Sequence, residues 1–130
     1  MHKRINPPAV APPLGAYRHG LEVAKDCRWV FVSGQLGRHP DGTVAEDAEG
    51  QADLAWSNVV RVLAAAGMTV EDLVKVTTSV VDASLIPAVR KARQKFLPGP
   101  RFPATTFLVV AALAKPEFLV EIEAVAARAA

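Results

Sequence analysis

Glu121 and Glu123 are the most pointed pair of titratable residues in the chain. They stand two apart in Val120-Glu121-Ile122-Glu123-Ala124-Val125, a run whose β-branched residues and alternation read as a strand. Residues two apart on a strand share a face. Both carboxylates therefore lie on the side of Leu119 and Val125, and Phe118, Val120 and Ile122 take the other. Carboxylates among apolar neighbours at a subunit interface have raised pKa values and can act as general acid or base. The same placement also suits solvated or salt-bridged rim residues. Tyr17, the only tyrosine, offers a hydroxyl to orient a substrate or an amphipathic ring to cap a core. Ser33-Gly34-Gln35 puts a glycine at a strand end, where backbone can approach a ligand. It is not a nucleophile elbow, and no histidine is clearly placed to activate Ser33, so a turn is the plain alternative. Cys27 sits between Asp26 and Arg28, whose charges pull its pKa in opposite directions, and reads as an inert thiol. Arg90, Lys91, Arg93 and Lys95 could touch phosphates, but at the end of a helix they read as a solvated face.

Composition narrows the chemistry around these residues. The chain has 130 residues, which fits a single domain over residues 1–130. Its 51% hydrophobic and 22% charged residues are those of an ordinary globular protein. The two longest uncharged stretches, Ile5 to Tyr17 and Phe102 to Ala114, both contain proline and are shorter than the roughly 18 apolar residues a membrane span needs. Met1-His2-Lys3-Arg4-Ile5-Asn6-Pro7-Pro8 lacks the apolar core of a secretory signal, so the expected location is cytoplasmic, away from any membrane. A net charge of +2 with dispersed Lys and Arg does not suggest a nucleic-acid coat. A single cysteine and three scattered histidines, His2, His19 and His39, exclude a disulfide framework and show no metal-ligand spacing. No metal or cofactor is expected.

The elements that must position the candidates follow from local pattern. Residues 1–15, with Pro7, Pro8, Pro12 and Pro13, read as an extended lead-in. Tyr17 to Val23 alternates like a strand, and Lys25-Asp26 suits a hairpin turn into a second strand, Trp29 to Ser33, ended by Gly34. Acidic Glu46, Asp47 and Glu49 open a helix whose apolar stripe is Ala52, Ala55, Trp56, Val59, Leu63 and Ala66, with Gly67 as its stop. Leu73 to Val81 is a strand. Ser84 is the expected cap of a second helix, with Pro87 in its first turn and Leu85, Ala88, Val89, Ala92 and Phe96 buried. Strands over Thr105 to Val110 and Glu117 to Ala127 complete the order β-β-α-β-α-β-β, with room for one more short strand near Leu36. The fold class is α+β, a mixed β-sheet with two helices packed on one face.

Two helices cover only one face of such a sheet. Trp29 and Phe31 nevertheless point one way and Val30 and Val32 the other, and the last strand is also apolar on both sides. Apolar side chains on both faces need a second cover, and another copy of the chain is the simplest source. A homo-oligomer joined through the helix-free face is expected.

These pieces, in this order, resemble the Rid family of reactive-intermediate (enamine/imine) deaminases from about Pro12 to Arg128. The markers are Leu14-Gly15-Ala16-Tyr17, Val32-Ser33-Gly34-Gln35, Gln51 followed by the Asn58-containing helix that ends Ala65-Ala66-Gly67, Asp72 to Thr77, Phe102-Pro103-Ala104 and Val120 to Ala126. The resemblance implies a homotrimer, chorismate-mutase-like, with clefts between subunits that bind a small 2-imino or 2-enamino acid. Water adds to the imine carbon and ammonia leaves, without metal or organic cofactor. By the same resemblance Glu121 is the carboxylate that positions the water, Tyr17 is the cleft tyrosine, and Ser33 and Gly34 line the cleft. After Phe102-Pro103-Ala104 the deaminating branch has an arginine that grips the substrate carboxylate in a two-pronged contact. This chain has Thr105, and Phe107 where many members have cysteine. A threonine hydroxyl offers one neutral hydrogen bond in place of a charged fork. Arg101 is the nearby candidate substitute. The implied function is a Rid-like hydrolase of an imine, enamine or related small metabolite, distinct from the standard 2-imino acid deaminase. The alternative is a non-catalytic trimer that binds a small ligand. Nucleic-acid processing, also attached to the family's name, fits poorly with a near-neutral charge and no evident aromatic stacking platform.

Overall fold

The computed structural model describes residues 2–130; Met1, at the head of the N-terminal run, lies outside the described residues. A four-stranded mixed sheet carries two helices on one face. Its strands are β3 (Cys27–Leu36), β4 (Leu73–Val80), β5 (Ala104–Val109) and β6 (Val120–Ala129), in the order β3-β6-β4-β5. β6 runs antiparallel to both neighbours, and β4 and β5 are parallel, joined by a crossover through α2 (Ile86–Phe96). The other helix, α1 (Ala48–Ala65), connects the β3 segment to β4.

Of the stripe expected on α1, Ala66 is the partly exposed C-cap beyond the helix end, while Ala52, Ala55, Trp56, Val59 and Leu63 are each at most 1% exposed. They pack on Val32, Val76, Val80, Val120 and Ile122 of the sheet, and Trp56 stacks on Phe96 of α2 at 5.9 Å. Each such large side chain contributes about 2–3 kcal/mol by leaving water. Asp47 caps α1 by accepting from the Gly50 amide at 2.7 Å. Gly67, at φ 71°, ends it in the left-handed conformation, and Met68 N–H donates back to the Leu63 carbonyl.

Gln51 ties the helix start to the β6 approach. It is 1% exposed, donates to the carbonyls of Ala45 and Glu117, and accepts from the Leu119 amide. Asn58, about two turns on, donates to the carbonyls of Leu36 and Arg38. Gln51 thereby satisfies loop backbone, and Asn58 adds a second donor to the Leu36 carbonyl, which also accepts from the Arg38 amide.

Several local expectations are corrected. The lead-in contains a short strand, β1 (Lys3–Ile5), which pairs antiparallel with β2 (Gly20–Glu22) in a separate two-stranded sheet. The Tyr17–Val23 strand is thus reduced to three residues, and the Lys25-Asp26 turn does not make a hairpin, because β2 pairs with β1 rather than β3. Gly34 does not end its strand; β3 continues through a register shift between Val32 and Gln35, which absorbs the short strand expected near Leu36. Ser84 is not the helix cap. Asp82 accepts from the Ser84 amide and caps a 3-10 turn, Ala83–Leu85, that leads into α2. Glu46 precedes α1, whose first turn carries only Glu49.

The helix-free face is apolar in part, as the two-faced pattern requires. Trp29 is 49% exposed, Phe31 75% and Leu108 46%. Trp29 and Phe31, which share a strand face, stack on each other at 6.3 Å, so the sheet does carry an exposed aromatic platform, against the expectation of none.

Candidate functional site

The candidate residues fall into two sets on opposite faces of the sheet. On β5, Thr105 and Phe107 are in register with Val76 and Thr78 of β4, both of which face the helices. Thr105 and Phe107 therefore point to the helix side. β5 is an edge strand of the sheet, so they stand at an edge that the loop carrying Tyr17 borders. That loop is pinned there by the Arg18 amide, which donates to the Pro103 carbonyl, and by the bridge between Arg18 and Ala104. The Tyr17 hydroxyl accepts from the Leu14 amide at 3.2 Å, which holds the ring edge-on to His19. Tyr17, Thr105 and Phe107 line one cavity of about 550 Å³ with Leu14, Arg90 and Arg93.

Arg93, expected on a solvated helix face, instead lines this cavity. Its Nη2 donates to the Ala16 carbonyl at 2.9 Å and to Thr105 Oγ1 at 3.0 Å. Burial, reinforced by the neighbouring Arg90 charge, lowers its pKa from the ordinary arginine value. Arg90 lies over the Phe107 ring, 5.9 Å from its centre. The basic cluster on α2 is thus split by helical geometry. Lys91 and Lys95, four apart, pair with Glu49 and Asp53 of α1 at 3.3 and 2.6 Å. Arg90 and Arg93, three apart, face the cavity instead. The signal in the sequence was the i, i+3 offset of the two arginines from the i, i+4 lysine pair. Reading it required knowing which side of α2 meets α1.

The second set lies on the helix-free face. Glu121 pairs with Leu36 and Ser79 across the sheet, and its carboxylate fills the space beside Gly34. A Cβ on Gly34 would fall 1.7 Å from Glu121 Oε1. The φ of Gly34 is not in the left-handed region, so close approach, not backbone freedom, demands glycine there. Ser33, on the same shifted segment, lines a groove with Phe31, Lys75, Thr77 and Glu123. Lys75 Nζ donates to Thr106 Oγ1 at 2.7 Å.

Arg101 joins neither set. It pairs with Glu71 at 3.7 Å and lines a separate cavity with His2, Arg4 and Arg18. Among the described residues no three His, Cys, Asp or Glu side chains cluster, and no helix is long and apolar enough to cross a membrane.

Comparison with known proteins places this architecture. The family model described as Endoribonuclease L-PSP matches residues 8–128. A 2-iminobutanoate/2-iminopropanoate deaminase of Salmonella typhimurium is 34% identical over 98% of this chain and 99% of its own length. A Yersinia pestis protein of unknown function from the conserved Rid family, YyfB, superposes with a TM-score of 0.87 at 30% identity, covering 98% of both chains. RidA from the Antarctic bacterium Psychrobacter sp. gives 0.71 at 29% identity, over 95% of this chain and 98% of that one. With the four-stranded sheet, the two helices and all but the first few residues matched, the chain belongs to the Endoribonuclease L-PSP family, the Rid family of imine and enamine deaminases and their relatives.

Proposed function

We propose that the chain assembles as a homotrimer through its helix-free face and hydrolyses a small imine or enamine in clefts between subunits. The observation that carries this is the division of the site. Tyr17, Thr105 and Phe107 lie on the helix side of the edge strand, whereas Ser33, Gly34 and Glu121 belong to the opposite face. One copy cannot bring the two sets together; a neighbour whose helix-free face lies against that edge can. The exposed Trp29, Phe31 and Leu108 give this contact its apolar area, and a closed ring of copies covers every such face.

In the cleft, Glu121 of one subunit holds water against the imine carbon and takes up its proton, and Tyr17 of the next orients the substrate. Water oxygen bonds to carbon, Glu121 passes the proton it took to the nitrogen, the second water proton follows as the C=O forms, and the C–N bond breaks to release ammonia and a carbonyl product. The curated relative named for 2-iminobutanoate and 2-iminopropanoate supports this reaction class. Thr105, where the resemblance expects arginine, argues for a substrate whose carboxylate is absent or held from elsewhere. A small-ligand-binding trimer without catalysis is the alternative that Thr105 favours.

The Trp29–Phe31 stack favours one further reading, RNA binding, since bases stack on such pairs. Against it, the same face carries Glu121 and Glu123, and Lys75 there is engaged by Thr106. The deciding experiment couples a dehydratase that generates imines to this protein and follows ammonia release. Faster release in proportion to protein, lost in Glu121→Gln, is the expected result. A folded trimer that leaves imine decay unchanged gives the binding reading the lead, and salt-dependent RNA binding would give it to the third.

A further inference from the structure

Arg93 is a half-buried cation with no acidic partner. No carboxylate among the described residues pairs with it or with Arg90, although Lys91, Lys95, Arg101 and Arg128 each have one. Its Nη2 is anchored to Ala16 and Thr105, and its Nε and Nη1 hydrogens make no bond to a described residue. The anchored edge fixes the guanidinium plane, and the remaining donors belong to a group that lines the Tyr17 cavity. Arg90 adds a second positive charge to the same wall. Leu14, Leu97 and Phe107 supply an apolar wall beside it. Arg93 is partly withdrawn from water beside the exposed Arg90 charge, and an anion against them relieves both its desolvation and the repulsion.

We propose that Arg93, assisted by Arg90, is the anion-binding group of this cavity, and that its ligand is a small carboxylate with a short apolar tail. The cation is thereby supplied from helix α2 rather than strand β5, and Thr105 positions it by accepting from Nη2. A guanidinium held by two acceptors loses little further freedom when it binds, which favours directional recognition over a bare point charge. The apolar wall selects a tail of a few carbons, and the fixed donors select a planar carboxylate. This inference rests on the proposed cleft, but the carboxylate preference can be measured without any turnover.

The test titrates the assembled protein with 2-oxobutanoate and with its uncharged analogue, 2-oxobutanamide, by calorimetry. The acid is expected to bind at least about tenfold more tightly, the range of one charge-assisted contact. Arg93→Gln should abolish that preference and Arg90→Gln should reduce it, while Arg93→Lys, which keeps the charge without the fork, should retain part of it. Oligomeric state and melting temperature are followed for each variant. If Arg93→Gln unfolds the Tyr17 loop, Arg90→Gln and Arg93→Lys still decide. Equal binding of acid and amide, no binding of either at millimolar concentration, or an undiminished preference in Arg93→Gln would each overturn the proposal. Acid preference without imine hydrolysis would keep the anion site and remove the enzymatic reading. Hydrolysis of neutral imines with no acid preference would do the reverse.

Discussion

The Glu121 carboxylate occupies the space that a side chain at residue 34 would take. A methyl group at Gly34 would lie 1.7 Å from Glu121 Oε1 and 2.9 Å from its Cγ. Gly34→Ala should therefore swing Glu121 out of place without unfolding the sheet, because the carboxylate is the flexible end of a side chain. The expected cost in stability is about 1–2 kcal/mol. The expected loss in imine turnover is at least about tenfold, because misplacing a group that holds water removes orientation. Turnover and melting temperature measured together check this; a large stability loss with unchanged turnover per folded protein would separate Glu121 from the chemistry.

Phe31 is three-quarters exposed and stacked on a half-exposed Trp29. If the helix-free face is the contact between copies, a charge there must enter an apolar interface. Phe31→Glu should give monomers at micromolar concentration, where the unmodified chain should scatter light as about three times its 13.8 kDa mass. The variant should also lose all turnover, since one copy holds only half of the site. A monomeric parent, or a trimer indifferent to Phe31→Glu, would move the interface elsewhere.

Gln51 links three backbone groups that have no other partner among the described residues: the carbonyls of Ala45 and Glu117 and the amide of Leu119. Gln51→Ala would leave these part-buried groups unpaired, at a cost of about 2–4 kcal/mol. Gln51→Glu should cost more, since it removes both donor hydrogens and buries a charge. Urea unfolding of the two variants would show the order, and the reverse order would mean that solvent reaches this site.

The legible parts of this fold were those set by short-range pattern. The α1 stripe from Ala52 to Leu63, the β-branched run of β3 and the alternation of β6 are each fixed by neighbours within about two turns or a few strand residues. The two-faced apolarity of Trp29 to Val32 likewise carried the open sheet face. The illegible parts depend on partners distant in sequence. β1 and β2 are three residues each and exist only as a pair, so neither shows a period on its own. The register shift at Ser33-Gly34 is defined against β6, and without it Gly34 reads as a strand end. Ser84 and Asp82 are both plausible caps by type, and backbone direction chose Asp82. The division of the α2 cluster into paired lysines and cavity-facing arginines was invisible for the same reason: residue spacing gives faces of a helix, but not what each face meets.

Thr105 is where sequence and structure lead to different expectations for one substitution. By resemblance alone, Thr105→Arg restores the family's clamp and should raise turnover of 2-imino acids. In the structure, Thr105 Oγ1 accepts from Arg93, with Arg90 on the same cavity wall. A guanidinium at residue 105 would remove that acceptor and add a third positive charge to a partly buried site, where like charges cost more than in water. Thr105→Arg alone should therefore lower stability and leave turnover of 2-iminobutanoate unchanged or reduced. In an Arg93→Gln background the same change relieves the repulsion and returns one cation to the cavity, so the double variant should exceed Arg93→Gln alone in turnover. Such non-additivity is the signature of two residues competing for one role. The four proteins compared in the coupled assay, with KM and kcat resolved, give the cycle. Additive effects would show that residues 93 and 105 act independently. A gain from Thr105→Arg in the unmodified background would show that the cavity lacked a working cation, and that Arg93 merely ties the Tyr17 loop to α2.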